Sequence, residues 1–369
     1  MKVVFIAYNY LPEYTSPEQW IERIKPFAGI MEALSQSCEV IYTGQINYIG
    51  KYSKNGVEYH FIKSKKKKSR FPFYFHKEVR KLDPDIVIVL GLRFPFQILQ
   101  LRWKLKKRVK IIGRHHADKP PQGIRRRLQS LVDHCIDAYL FSTLTHAQEW
   151  IDARILKNQN KVYEVFEASS DFLRLNKEQS IEKLGMKGDQ NFLWVGRLNA
   201  NKDPLTVLNG FEKYLSLNPD ARLHMIFQES DLLPEVKLRI QKSLLLVNTV
   251  YLHGFISYNE LQLWYSAADF FISGSHREGG SYALFEAMAC GCIPIVTAIP
   301  ASLKAIANDN YGFSYEAGNA DDLADKLSAT NNISKKDLSL AVENYFKKEL
   351  SSQAIADNLF GVLQKLQTE

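Results

Sequence analysis

The stretch ADFFISGSHREGGSYALFEAMACGCIPIVT, residues 268–297, decides the fold. Residues 268–275 form a short apolar run closed by Gly274, which reads as a buried strand. Residues 293–297 (IPIVT) read as the next strand, and the apolar stretch between them has the length of a helix. Ser281 stands where a helix N-cap belongs. Gly279 and Gly280 precede it, where a backbone without side chains lets a ligand approach closely. Strand, glycine loop, helix and strand make a βαβ unit, whose ligand crevice lies at the carboxyl ends of its strands.

The free amides opening that helix, from Gly280 through Ser281 and Tyr282 to Ala283, carry partial positive charge suited to a phosphate. Glu278 lies just before the glycines, and Glu286 lies about 7 Å along the helix axis from Ser281, at 1.5 Å per residue. One carboxylate is placed to meet a group beside the phosphates, the other to meet hydroxyls further along. Sugar, diphosphate and ribose follow one another in this way in a nucleotide-sugar. Alone, Glu-Gly-Gly reads first as a surface turn before a core helix with an exposed Glu, and the neighbouring strands shift that reading.

The pattern extends in both directions. FLWVG (192–196) reads as a strand, 203–217 as a helix, RLHMIF (222–227) as a strand, 235–247 as helix, VYLHGF (250–255) as a strand and 258–267 as a short helix. ADDLADKLSAT and the tail after Asp337 are amphipathic. In the first half, apolar runs at 3–8, 38–42, 57–62, 86–90, 109–113, 137–142 and 161–166 alternate with amphipathic stretches at 18–35, 93–106 and 124–134. Asn55-Gly56 is a hairpin turn. The expectation is an α/β chain of two Rossmann-like, doubly wound domains facing across a cleft. Their bounds are 1–172 and 173–345, with 167–190 as linker and 346–369 as a helix that packs back toward the first domain.

The chain has 369 residues, 46% of them hydrophobic and 12% aromatic, enough for two substantial cores. MKVVFIAYNYLP reads as a first strand rather than a signal peptide, and no apolar stretch approaches the roughly 20 residues of a membrane span. Four cysteines in such a length do not make a disulfide framework, and Cys290 and Cys292 match no zinc spacing. A cytoplasmic protein with reduced cysteines is expected. Net charge is +8, but residues 1–175 carry 30 Lys and Arg against 17 Asp and Glu. Lys63, Lys65, Lys66, Lys67, Lys68 and Arg70 run into Phe71, Phe73, Tyr74 and Phe75, a combination that suits either an anionic membrane surface or a solvated loop with its aromatics turned inward.

Three further pieces lie at expected strand ends. Arg197 and Lys202 follow FLWVG; Arg197 suits a bidentate grip on a diphosphate and Lys202 adds a mobile point charge. His115, His116 and Asp118 follow the strand at 109–113, where one histidine would reach a sugar hydroxyl and the other pack in the core. Adjacent histidines rarely share a metal, so no metal site is expected. The backbone of Gly254, Phe255 and Ile256 is placed to read a base edge.

With these pieces in order, the chain resembles the family-four retaining glycosyltransferases of GT-B fold (glycosyl transferases group 1), most strongly over about 190–330. The resemblance implies a nucleotide-sugar donor held mainly by the C-terminal domain and no cofactor or essential metal. It implies that Glu278 contacts the donor sugar, Glu286 the ribose, and Arg197 and Lys202 the diphosphate. The amides of Gly280–Ala283 would hold phosphate or sugar oxygens, and His116 would lie near the reacting centre with His115 as fallback. Two positions depart from the family pattern. The first loop, YNYLPEYTSPEQW, has no Gly-Gly but keeps a helix start at Ser16 and Pro17. Gln228-Glu229-Ser230 replaces a Gly-x-Gly after the second C-terminal strand.

The function expected is hexosyl transfer from a UDP- or GDP-sugar to an acceptor hydroxyl, with a glycan or lipid-linked glycan as acceptor at the inner face of the membrane, in cell-surface glycan assembly. The alternatives are an epimerase or hydrolase acting on a nucleotide-sugar, or a nucleic-acid-binding protein using the basic half. The last lacks any helix-turn-helix, zinc or stacking motif, so no nucleic-acid partner is expected.

Overall fold

A computed structural model describes residues 1–63, 70–228 and 230–368. Lys65 to Lys68 and Glu229, singled out above, lie outside the described residues. The chain divides into two compact units, residues 1–169 with 352–369, and residues 170–351.

The first unit is built on an eight-stranded sheet. Its strands are β1 (Lys2–Leu11), β2 (Glu39–Ile46), β3 (Gly50–Lys54), β4 (Val57–Phe61), β5 (Ile86–Leu90), β6 (Lys110–Arg114), β7 (Ala138–Phe141) and β8 (Val162–Glu164), in the order β3-β4-β2-β1-β5-β6-β7-β8. Every pairing is parallel except β3 with β4, whose hairpin turns through Asn55 (φ 49°) and Gly56 (φ 81°). Asn and Gly are the residues that tolerate such angles. Val3–Ile6 and Ile86–Val89 are continuous apolar runs because β1 and β5 are buried on both faces, as a parallel sheet covered by helices requires. The C-terminal helix Ser352–Thr368 belongs to this unit and packs on helix Lys25–Leu34.

The second unit carries β9 (Gln190–Gly196), β10 (Ala221–Phe227), β11 (Val250–Gly254), β12 (Phe270–Ser273), β13 (Ile293–Thr297) and β14 (Phe313–Tyr315). All pairings are parallel, in the order β11-β10-β9-β12-β13-β14. The chain winds outward from β9 in one direction and then returns to wind outward from β12 in the other. The β9–β12 boundary is therefore the topological switch point of the sheet.

Four expectations need correction. The stretch 18–35 is two helices, Pro17–Arg23 and Lys25–Leu34. Pro26 has no N–H to continue the first ladder, and Ile24 departs from helical angles (φ −100°, ψ 15°). The stretch 235–247 also breaks, into Leu233–Gln241 and Leu244–Thr249, because Ser243 caps the second by accepting from Leu246 N. The supposed linker contains helix Lys177–Leu184, capped by Asn176 and closed by Gly185 at φ 62°. Phe75 is buried, so it is not among the aromatics available to a surface.

Three of the buried histidines are held neutral. Burial pushes His76 and His115 down to about 4, and burial with the facing His253 pushes His224 down to about 3. An unfolded chain takes up a proton on each near its ordinary value of about 6.5. The folded state binds fewer protons below that point, so stability complete above pH 6.5 is lost as pH falls toward 4. Each histidine contributes a slope of up to about 1.4 kcal/mol per pH unit. Carboxylates held low, such as Glu167 and Glu212, act only further down. We expect urea unfolding midpoints to fall between pH 6.5 and 5; a flat profile there contradicts neutral burial.

Candidate active site

The second unit's candidate residues gather at the switch point. Gly274 ends the β12 side, and a Cβ there would stand 2.9 Å from the backbone oxygens of both Lys202 and Asp203. The loop leaving β9 thus lies directly on the loop leaving β12. Backbone bonds fasten the two: His276 N donates to Asn201 O (2.8 Å), and Asn201 Nδ2 donates to Arg277 O (3.1 Å). Lys202 Nζ meets Glu278 Oε1 at 2.5 Å, both side chains largely shielded from solvent. The Lys202 ammonium has three donors, and this bond uses one.

Asp203 ends the first loop and starts helix Pro204–Leu215. It holds φ 40°, a left-handed value uncommon for a residue with a side chain, while its carboxylate accepts from Thr206 N (3.2 Å) and pairs with His276 Nε2 (3.0 Å). Beneath the loops lies a buried hydroxyl layer. Thr297 Oγ1 donates to Ser275 O (2.5 Å), and Tyr315 Oη donates to Ser273 O (3.0 Å). Arg197 is exposed at the start of the first loop.

Helix Tyr282–Ala289 opens at Ser281, as the sequence indicates, but Ser281 makes no side-chain cap. Its hydroxyl is buried and finds no hydrogen-bond partner among the described residues. A buried hydroxyl without a partner is costly, by about 1–3 kcal/mol. Here it lies beside helix amides that have no acceptor within their own helix. Glu286, one and a half turns on, is buried and accepts from Tyr265 Oη at 2.9 Å. Burial and then the Glu286 charge drive Tyr265 well above its ordinary range, so it stays a phenol and a donor. Gly254, at φ 68°, ends the edge strand β11, with Phe255 exposed beyond it and Ile256 partly buried.

In the first unit, β6 delivers two histidines to opposite environments. His115 is stacked on Phe141 (centroids 4.5 Å) against Trp150. Its Nδ1 accepts from Ala117 N (3.2 Å), so Nε2 carries the proton and donates to Asp118 O (2.9 Å). His116 is exposed, and its Nδ1 pairs with Glu167. Burial alone would raise Glu167, but the His116 hydrogen bond and the nearby Arg114 charge hold it below its ordinary value. Ala117 turns the chain at φ 54°. The Asp118 carboxylate pairs with Arg93 (3.4 Å). Ser16 caps helix Pro17–Arg23 by accepting from Gln19 N (3.3 Å). Of the two histidines, only His116 has an accessible ring.

Glu167 and Tyr265 were not legible as site residues. Glu167 falls in what reads as the start of a linker, and its partner is 51 residues away. Tyr265 looks like any apolar-face tyrosine, and its partner is 21 residues away. Among the described residues no group of three or more His, Cys, Asp or Glu gathers as a metal ion would need.

Residues 176–344 match the family model described as glycosyl transferases group 1. This part of the chain is a group 1 glycosyltransferase domain. The chain is 28% identical over 173 residues to mannosylfructose-phosphate synthase of Agrobacterium fabrum, covering 45% of this chain and 36% of that protein. It is 23% identical over 252 residues to GDP-mannose:cellobiosyl-diphosphopolyprenol alpha-mannosyltransferase of Xanthomonas oryzae pv. oryzae, covering 66% of this chain and 64% of that one. The chain thus spans between about a third and two thirds of the length of these curated relatives. Anabaena HepE in complex with UDP has the same fold, with a TM-score of 0.74, 12% identity and coverage of 99% and 100%. The fold is GT-B: two parallel-sheet α/β units, the second holding the group 1 domain.

The close packing at Gly274 gives a test of opposite signs. Gly274→Ala should destabilise the group 1 domain by about 1–3 kcal/mol, since two backbone oxygens must move. Gly361→Ala, inside helix Ser352–Thr368 with open space at its Cβ, should stabilise by about 0.5–1 kcal/mol. Denaturant midpoints read both; an unaffected Gly274→Ala would mean that the loops are not packed as described.

Proposed function

We propose that the protein is a retaining glycosyltransferase that moves a hexosyl group from a UDP- or GDP-sugar to an acceptor hydroxyl. The observation that carries this reading is the Ser281 hydroxyl, buried without a partner at the amino end of helix Tyr282–Ala289. A phosphate oxygen there would accept from that hydroxyl and would gain from the positive end of the helix dipole. Lys202 and Arg197, on the neighbouring loop, supply the charge to match a diphosphate.

In this reading the donor's diphosphate lies on the amides of Gly280–Ala283, with Gly279 giving it backbone access. Glu278 meets the hexose hydroxyls with one oxygen while Lys202 holds the other. Glu286, oriented by Tyr265, meets the ribose, and Gly254–Ile256 flank the base. The bond from the anomeric carbon to the diphosphate oxygen breaks as the acceptor oxygen bonds to the same face of that carbon, and the acceptor proton passes to the departing diphosphate. Lys202, Arg197 and the amides stabilise the charge that grows on the diphosphate, which is where electrostatic catalysis has most effect. His116, held by Glu167, is assigned to the reacting centre through its Nε2.

The named donor of the Xanthomonas relative, GDP-mannose, and the UDP bound by Anabaena HepE both support a nucleoside diphosphate sugar. The relative's diphosphopolyprenol acceptor supports a lipid-linked glycan acceptor at a membrane face, and so a role in cell-surface glycan assembly.

Titration calorimetry against UDP and GDP tests the donor site. Tight binding of one nucleotide is expected, weakened about tenfold in Ser281→Ala, which removes one phosphate hydrogen bond of about 1.5 kcal/mol. Arg197→Ala and Lys202→Met should each lower turnover by about a hundredfold or more, far beyond any loss of folded protein at the assay temperature. Absence of binding to either nucleotide, or wild-type turnover in both variants, would overturn the assignment. Donor consumption without acceptor would make the enzyme a hydrolase or epimerase instead.

A further inference from the structure

Helix Pro95–Lys104 in the first unit has two apolar stripes where a surface helix needs one. Ile98 and Leu101 point into the core, fully buried. Phe96, Leu99 and Trp103, at i, i+3 and i+7, line a second stripe that faces outward. Trp103 is 72% exposed and Leu99 37%. Helix Phe73–Lys81 packs beside it and adds Phe71 and Phe73, 54% and 53% exposed, together with Tyr74. Phe71 stacks on Phe73 (6.3 Å) and tilts onto Phe96 (5.9 Å), so the rings form one continuous patch rather than scattered surface apolars.

Cations are set among the rings. Lys104 Nζ lies 4.2 Å from the Trp103 centroid and 5.9 Å from that of Phe73, and Arg70 lies 5.9 Å over Phe96. Arg70, Lys77, Lys104 and Lys107 lie on the segments Arg70–Lys77 and Phe94–Lys107, whereas Lys106 is paired with Asp83 and Arg102 with Asp137. Alongside lies helix Gly123–Leu131, without an acid, with Arg125, Arg126 and Arg127 and with Ile124 and Leu131 exposed.

We infer that this face of the first unit docks on an anionic lipid bilayer, with Phe71, Phe73, Leu99 and Trp103 entering the headgroup–acyl boundary and the surrounding Lys and Arg meeting lipid phosphates. Charge complementarity selects this occupant. Protein interfaces exclude Lys from their apolar cores, whereas a membrane interface favours aromatic bodies with Lys and Arg interleaved. No described helix is long and apolar enough to cross a membrane, so attachment through this face is peripheral. The inference stands apart from the transferase assignment, because it needs no donor or acceptor.

Cosedimentation of the full chain with vesicles tests it, using phosphatidylcholine alone and phosphatidylcholine mixed with phosphatidylglycerol. Partitioning onto the mixed vesicles is expected, with little onto phosphatidylcholine alone, and it should weaken as salt is raised. The double variant Phe73→Ser, Trp103→Ser should reduce partitioning by about tenfold or more, and Lys104→Glu by at least about fivefold. Phe73 and Trp103 are exposed, so the thermal midpoint of the double variant should hold. In the wild type, lipids brominated on the upper acyl chain should quench Trp fluorescence, and the Trp103→Ser variant should lose that quenching. The inference is overturned by a wild-type protein that stays in the supernatant, by partitioning that the double variant leaves unchanged, or by a self-associated wild type that the double variant turns into monomers.

Discussion

The close approach of backbone at Gly274 is the constraint on which the second unit's site depends. Two loops leaving neighbouring parallel strands would ordinarily part at the switch point. Here the carbonyls of Lys202 and Asp203 rest where a side chain at 274 would be. That contact carries Lys202 across to Glu278, and the cross-loop bonds of Asn201 and His276 keep it there. A shielded ion pair loses much of its attraction to desolvation, so its role is better described as orientation than as stability. It leaves a lysine with donors to spare in the same unit as the unpartnered Ser281 hydroxyl, which is the arrangement the proposed diphosphate would complete.

The first unit resolves a different problem, two adjacent histidines at one strand end. The left-handed turn at Ala117 lets its amide reach back to His115 Nδ1, while the Asp118 carbonyl accepts from His115 Nε2–H. His115 is thereby fixed as a neutral core residue, and its neighbour is turned outward. Glu167 then holds His116 through Nδ1, which leaves Nε2 as the nitrogen with access. A carboxylate behind a histidine sets the ring's orientation. The same unit presents the basic-aromatic face, where cations sit among exposed rings rather than around them.

Most of the architecture was legible because parallel strands covered on both faces are unmistakable as apolar runs, from Val3–Ile6 to Phe270–Ser273. The misread boundaries share one cause. Pro26 and Ser243 act through single backbone hydrogen bonds, which a periodicity argument averages over. Glu278 and Lys202 were legible as candidates, but their contact was not, since 76 residues separate them. Glu167 and Tyr265 carried no signal at all, because what marks them is a partner distant in sequence. The outward stripe of Phe96, Leu99 and Trp103 was visible as letters, but only the buried course of Ile98 and Leu101 shows which side of the helix is spare.

Hydrogen exchange read by mass spectrometry, with and without saturating UDP or GDP, tests the central claim most directly. One nucleotide should slow exchange in two peptides above all, one containing residues 197–203 and the other 278–286, which together line the proposed donor site. Protection confined to other segments, or none with either nucleotide, would contradict it.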